Sequence, residues 1–242
     1  MNTLSRVIAD LHCHTIASTH AYSTVTELAR AAAEQHLLAI ACTDHGVGAP
    51  DSPHIWHFGN MDALPDRIAG VRVLRGVEAN VMDFDGRIDM PTDRLRQLEL
   101  VIASMHLSVL APGSVEACTA AYLALAENPD VDIIGHSGTP VFAYDYEAVI
   151  PAFGRNGKVV EINENTFRAR ADSAENCRKI AALCKRYGVR VALDSDAHFH
   201  EYVGQVPRCL HLLRELEFPP ELVINGSEDA FRAFLMEKGL SL

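Results

Sequence analysis

Short apolar, β-rich runs recur along this chain, separated by longer segments of helical pattern, and that alternation constrains the fold more than any other feature. The runs fall at 7–9, 37–42, 71–77, 100–104, 131–135, 158–162 and 190–193, with 222–224 as a further short one near the end. Each is apolar on both faces, which suits strands covered by helices on one side and by a barrel interior on the other. Helix signals lie between them. Thr24 and Glu27 form a capping box for a helix running to about His36. Ser114 precedes 115–127, which Asn128-Pro129 stops; Ser173 precedes 174–187, which Gly188 ends; Ser227 opens 228–238, which Gly239 closes. Repeated strand–helix units imply a parallel sheet, and seven or eight of them imply an α/β barrel. The 242 residues fit one such barrel as a single domain, 1–242.

Composition removes several classes of function. No apolar run reaches the roughly 20 residues of a membrane span. The opening MNTLSRVIADLHCH breaks into polar residues at once, so it reads as neither signal peptide nor anchor, and a cytoplasmic location is expected. The formal charge of −11 lacks the basic stripe of a nucleic-acid surface. Six cysteines, at 13, 42, 118, 177, 184 and 209, show no disulfide-framework spacing and are expected to be reduced, with Cys177 and Cys184 as small buried hydrophobes.

The twelve histidines are informative through their placement. His12 and His14 follow the first apolar run, His45 the second, Glu78 the third, His106 the fourth and His136 the fifth, while Asp196 and His198 follow the seventh. In a parallel barrel those strand ends share one rim, where active sites are built. His12 and His14 are two apart in an extended segment, so their side chains point the same way while Cys13 points elsewhere. Asp196 and His198 repeat the arrangement. Imidazoles mixed with carboxylates favour zinc, manganese or iron over calcium or magnesium. His36 and His211 lie off the rim and read as ordinary helix residues, whereas His54, His57 and His200 fall in rim loops without an assigned role.

The motifs ADLHCHTIASTH, ACTDHG, GVEAN, SMH, IGHSG and DSDAH, in that order, resemble those of the PHP (polymerase and histidinol phosphatase) superfamily, and most of all its stand-alone YcdX-type phosphatases. The likeness runs from Asp10 to at least His198 and includes the tail FPPELVIN. It implies a distorted (β/α)7 TIM-like barrel with the metal site at the C-terminal ends of the strands. It also implies three divalent metals: one held by His12, His14, Glu78 and Asp196, a second by Glu78 with His106 and His136, a third by His20, His45 and His198. Asp10 and Asp44 then fit as carboxylates that orient ligand imidazoles, and join Glu78 and Asp196 as candidate catalytic residues. Ser137 departs from the pattern, standing where proline often follows the matching histidine.

Three divalent cations outweigh the two ligand carboxylates, Glu78 and Asp196, so the site would be a cationic hole in an acidic protein. The expected chemistry is phosphomonoester hydrolysis, in which water shared between metals attacks phosphorus in line. Arg168 and Arg170, in the loop NENTFRARADS after the sixth run, are the candidate phosphate-binding residues. The expected partners are a small phosphorylated substrate and, at most, further copies of the chain as a homo-oligomer; neither nucleic acid nor membrane is expected. Three alternatives accompany this reading. A metal-dependent amidohydrolase would need a bridging lysine, and no run ends in one. A phosphodiesterase or exonuclease would need a basic groove. A non-catalytic metal-binding scaffold would be expected to have lost ligands, and this set is complete.

Overall fold

A computed structural model describes residues 4–242. The strands are β1 (Ala9–Cys13), β2 (Ala39–Cys42), β3 (Arg67–Ile68), β4 (Val71–Asn80), β5 (Leu100–Ser104), β6 (Ile133–Ile134), β7 (Val159–Asn163) and β8 (Val191–Asp194). Around them lie α1 (Val25–Glu34), α2 (Ile55–Gly59), α3 (Thr92–Leu95), α4 (Val115–Glu127), α5 (Tyr146–Arg155), α6 (Ala174–Tyr187), α7 (Pro207–Glu215) and α8 (Glu228–Glu237). The strands pair in the order β1-β2-β4-β5-β6-β7-β8, all parallel, while β3 is an antiparallel addition to β4. The molecule is thus the expected distorted barrel of parallel strands inside a layer of helices. The Thr24–Glu27 capping box forms at α1, and Gly188 ends α6 at φ 67°, a left-handed turn that costs glycine little. No helix among the described residues is long and apolar enough to cross a membrane.

One expectation is corrected. Residues 222–224 form no strand; Val223 makes an isolated bridge to Val191, and the chain turns away after it. Between β6 and β7 runs a further helix, α5, capped by Asp145, whose side chain accepts from Ala148 N, and carrying Pro151 in its interior.

The barrel interior changes chemistry along its length. Inward positions alternate along each strand, giving Leu74, Gly76, Glu78 and Asn80 on β4, Leu100, Ile102 and Ser104 on β5, Val159, Glu161 and Asn163 on β7, and Ala192 then Asp194 on β8. The early members cluster with Ala9, Leu11 and Ala39, and with Phe231, Phe234 and Leu235 of α8, which seals the lower end. Burying Phe231 completely is worth about 1.5–3 kcal/mol to that seal. The later members are polar and open toward the upper rim. A second apolar cluster, including Ile40, Val73, Val77, Val160 and Leu193, packs between strands and helices.

The barrel closes without a regular ladder between β8 and β1. Its seam is held by the side chain of Asn225, which donates to Ala9 O (2.9 Å) and Leu193 O (2.8 Å) and accepts from Leu193 N (3.0 Å). Asp194 Oδ1 accepts from Leu11 N at 2.8 Å, and above it His14 N donates to Ala197 O at 2.9 Å.

Candidate metal centre

The alternation in β1 breaks where the site begins. Asp10 pairs with Ile40 and Cys13 with Cys42, so Leu11 and His12 together oppose Ala41. This bulge lets Leu11 face the apolar interior while His12, one residue on, turns into the site, a common use of bulges beside functional groups. Cys13 faces the outer core, as expected from its spacing.

Glu78 lies at the centre, almost fully buried at 1% exposure, and its two oxygens face different ways. Oε1 is 2.8 Å from His136 Nε2 and 3.3 Å from His106 Nε2. Oε2 is 2.8 Å from His45 Nδ1, 3.4 Å from His12 Nε2 and 3.5 Å from His14 Nε2. Asp196 Oδ1 approaches His14 Nε2 at 3.3 Å and His198 Nδ1 at 3.4 Å. Imidazole nitrogens also confront one another, His12 Nε2 with His14 Nε2 at 3.1 Å and His106 Nε2 with His136 Nε2 at 3.2 Å. His14 Nδ1 is buried with no hydrogen-bond partner, and the close His45 Nδ1 is out of line for a hydrogen bond to Glu78. Converging lone pairs and carboxylates of this kind suit cations.

Among the described residues, four sets of three bring ligand atoms within 4.8 Å of one another: His12, His14 and Asp196; His45, Glu78 and His106; His14, His45 and His198; His20, His45 and Asp51. Eight of the nine expected residues fall in these sets, and the ninth, His136, joins them through Glu78 Oε1, with a partial change of grouping. His198 gathers with His14 and His45, while His20, half exposed, takes Asp51 as its carboxylate neighbour.

The electrostatics follow from burial and proximity. Burial pulls His12 down, but the carboxylates of Glu161, Glu78 and Asp196 outweigh it and hold the imidazole well above its usual range. His14 is pushed down to about 3 by burial and by the neighbouring His45. Burial raises Glu78, yet His12, His106 and His45 hold it well below the carboxylate range, and His12, His14 and Arg170 do the same for Asp196.

Two ligands sit on unusual backbone. His136 has φ 21° and Asp196 φ 55°, conformations that non-glycine residues seldom adopt and that cluster at functional sites. Neighbouring groups hold the ligand loops. Asp10 and Asp44, expected to orient imidazoles, do not touch the ligand rings. Asp10 accepts from Ser195 N (3.1 Å), Ser195 Oγ (2.5 Å) and Gly204 N (2.7 Å), which fixes the turn before Asp196. Asp44 accepts from the backbone and hydroxyls of Thr15 and Ser18, which fixes the loop between His14 and His20, and lies 3.3 Å from the non-ligand His57.

The imidazole partners are residues that the sequence did not single out. Glu161 takes His12 Nδ1 at 2.6 Å, Asn80 takes His106 Nδ1 at 2.7 Å, and Asp51 takes His20 Nδ1 at 2.5 Å. A charge inside the apolar run 158–162 was a signal for Glu161; nothing local marks Asn80 or Asp51. Of the unassigned histidines, His54 caps α2 and His200 bonds Ser23 Oγ.

All the candidate ligands except His12 and His14 line a cavity of about 420 Å³, with Ser108, Asn165 and Arg170 on its wall. The two arginines of the loop after β7 part company here. Arg170 Nη2 donates to Asp196 Oδ2 at 2.8 Å and to Asn163 Oδ1 at 3.2 Å. Arg168 instead stacks its guanidinium 3.8 Å above the Tyr202 ring and takes no part in the cavity wall, which corrects its expected role in phosphate binding.

Comparison with known proteins matches residues 10–165 to a family model described as the PHP domain. Over 235 residues the chain is 46% identical to a probable phosphatase of Caldanaerobacter subterraneus, covering 96% of this chain and 92% of that one. It is 42% identical over 233 residues to a probable phosphatase of Acetivibrio thermocellus, covering 96% and 97%. Among solved structures, histidinol phosphate phosphatase from Lactococcus lactis, crystallised with zinc, L-histidinol and phosphate, superposes with a TM-score of 0.62 at 17% identity, covering 88% of this chain and 93% of that one.

Proposed function

Because this chain belongs to the PHP domain family, we propose that it is a metal-dependent phosphatase that hydrolyses small phosphomonoesters. The observation that carries the reading is the Glu78 carboxylate, whose two oxygens face separate groups of imidazoles at the floor of a cavity. Three divalent transition metals, zinc, manganese or iron, would be held by His12, His14, Glu78 and Asp196, by Glu78 with His106 and His136, and by His20, His45 and His198. Divalent cations bound there supply acidified water and neutralise phosphoryl oxygens. Zinc in the solved Lactococcus lactis phosphatase agrees in kind with the donor set.

The chain's own groups complete the site. Glu78 and Asp196 are ionised and buried, so they fix cations in place without competing for the incoming anion. Arg170 brings a guanidinium to the cavity wall, where its planar fork can pair with phosphoryl oxygens. Asn165 and Ser108 offer neutral polar groups beside it. A phosphomonoester, with two negative charges and three oxygens to share, suits such a site better than a diester. The −11 surface opposes the approach of nucleic acid.

The test is a screen of metal-reconstituted protein against phosphomonoesters, each with a matched diester and with single-stranded DNA. The expected result is higher kcat/KM for monoesters and loss of activity on chelation. A diester preference, or activity confined to a cyclic amide, would overturn the phosphomonoesterase reading. A second expectation separates the arginines. Arg170→Ala should raise KM for a monoester by about 10-fold, of the order of one lost charge-assisted contact, while Arg168→Ala changes it little. Equal effects on KM would argue against Arg170 as the phosphate-facing group.

A further inference from the structure

Glu161 occupies the third position of β7, between inward-facing Val159 and Asn163, and is 2% exposed. A carboxylate in a barrel interior carries a desolvation cost of several kcal/mol unless its oxygens are satisfied. Both are. Oε1 accepts from His12 Nδ1 at 2.6 Å, and Oε2 accepts from the backbone N–H of His136 at 2.7 Å. These two residues flank Glu78 from opposite sides, His12 Nε2 at 3.4 Å from Oε2 and His136 Nε2 at 2.8 Å from Oε1. One buried side chain therefore touches both groups of candidate ligands without facing the cavity itself.

We propose that Glu161 is the positioning residue of the metal centre, holding His12 with its proton on Nδ1 so that Nε2 offers a lone pair, and pinning the His136 backbone in its positive-φ turn. The inference rests on the metal-centre reading above. Its logic is a count of acceptors: both partners present N–H groups, so two acceptors are needed, and a carboxylate has them. Glutamine has one. If its oxygen faces His136 N, its NH₂ faces His12 Nδ1, which must then accept, and the imidazole proton moves to Nε2, where it blocks a cation. If the amide turns over, the His136 N–H is left buried and unpaired on strained backbone.

A matched comparison exists on the same strand end. Glu164 is also buried and also accepts from two N–H groups, the backbone of Arg208 and Cys209, each at 3.0 Å. It serves the start of α7 and touches no candidate ligand. Both of these bonds fall on Oε2, so Glu164→Gln removes a buried carboxylate charge beside β7 while its amide oxygen keeps both N–H partners, and it does so without any link to His12.

The experiment titrates zinc into the metal-free full chain against a competing chelator dye, for wild type, Glu161→Gln and Glu164→Gln. Loss of a hydrogen-bonding partner behind a ligand histidine weakens binding by roughly 10–100-fold, and that loss is expected for Glu161→Gln alone. Glu164→Gln should keep zinc affinity close to wild type. An unchanged affinity in Glu161→Gln, or an equal loss in Glu164→Gln, overturns the role given to Glu161 and leaves the metal centre standing. A wild type that takes up no zinc overturns the metal centre, and the inference with it. Should Glu161→Gln fail to fold, nitrogen-15 NMR of the zinc-loaded wild type decides. A hydrogen-bonded proton on His12 Nδ1 supports the proposal, and a bare Nδ1 overturns it.

Discussion

Glu78→Gln should strip metal from the protein and lower kcat/KM on a phosphomonoester by at least about 10²-fold, or roughly 2.7 kcal/mol in transition-state terms. The substitution keeps the shape of the side chain and removes the one charge that imidazoles approach from both sides. An amide oxygen can still serve one group, but the NH₂ that replaces the other oxygen cannot accept or ligate. Buried imidazoles would then lose the carboxylate that balances them, which adds to the loss. Elemental analysis after purification without chelators measures the metal, and steady-state kinetics after reconstitution measures the activity. His36→Gln is the comparison: His36 is exposed at the turn after α1, and its replacement should alter neither quantity. Comparable losses in the two variants would place the active centre elsewhere.

The second large effect concerns the barrel. Asn225→Ala should lower the free energy of unfolding by about 3–5 kcal/mol, because several buried backbone groups lose partners at once. Ala9 O, Leu193 O and Leu193 N all rely on this fully buried amide, and no neighbouring ladder replaces it. Urea or guanidinium denaturation, compared at equal slope, reads the change. A loss below about 1 kcal/mol would mean that the seam does not depend on Asn225 and is held by packing and its other hydrogen bonds.

Much of this was legible before any coordinates. Runs such as 100–104 are apolar at every position but the last, Ser104, and a histidine follows within two residues, so both strand and candidate rim residue could be read from local composition. Thr24 and Glu27 announce α1 because their bonds are made within one turn. What could not be read depends on register or on distant partners. The bulge at Leu11 and His12 arises from pairing with Ala41, and no feature of DLHCH alone requires it. Glu161 was visible as a charge in an apolar run, but whether it faces helix or barrel depends on strand parity. Asp10 and Asp44 stand beside ligand-type histidines in sequence, yet their partners are backbone N–H groups and the hydroxyls of Thr15, Ser18 and Ser195, brought to them only by the fold. Arg168 and Arg170 are two apart in irregular structure, where neither period of 2 nor of 3.6 says which one points inward. Residues 222–224 look like a strand by composition, and lose the pairing because the Asn225 side chain bonds the groups that a further strand would have used.

The way the barrel closes would give cations held by the candidate ligands a mechanical part to play. His12 and His14 stand on β1, and Asp196 follows β8, so the set His12, His14 and Asp196 straddles the one join in the wall where no continuous ladder runs. A hoop that ends in two free edges can be fastened by a buckle, and a cation gripped from both edges is one. Its grip adds to folding stability by mass action, as RT ln(1 + [M]/Kd), so a thousandfold excess over Kd contributes about 4 kcal/mol at the weakest line of the wall. The centre and the barrel are in this sense one object: what draws the ligands together also keeps the staves from parting.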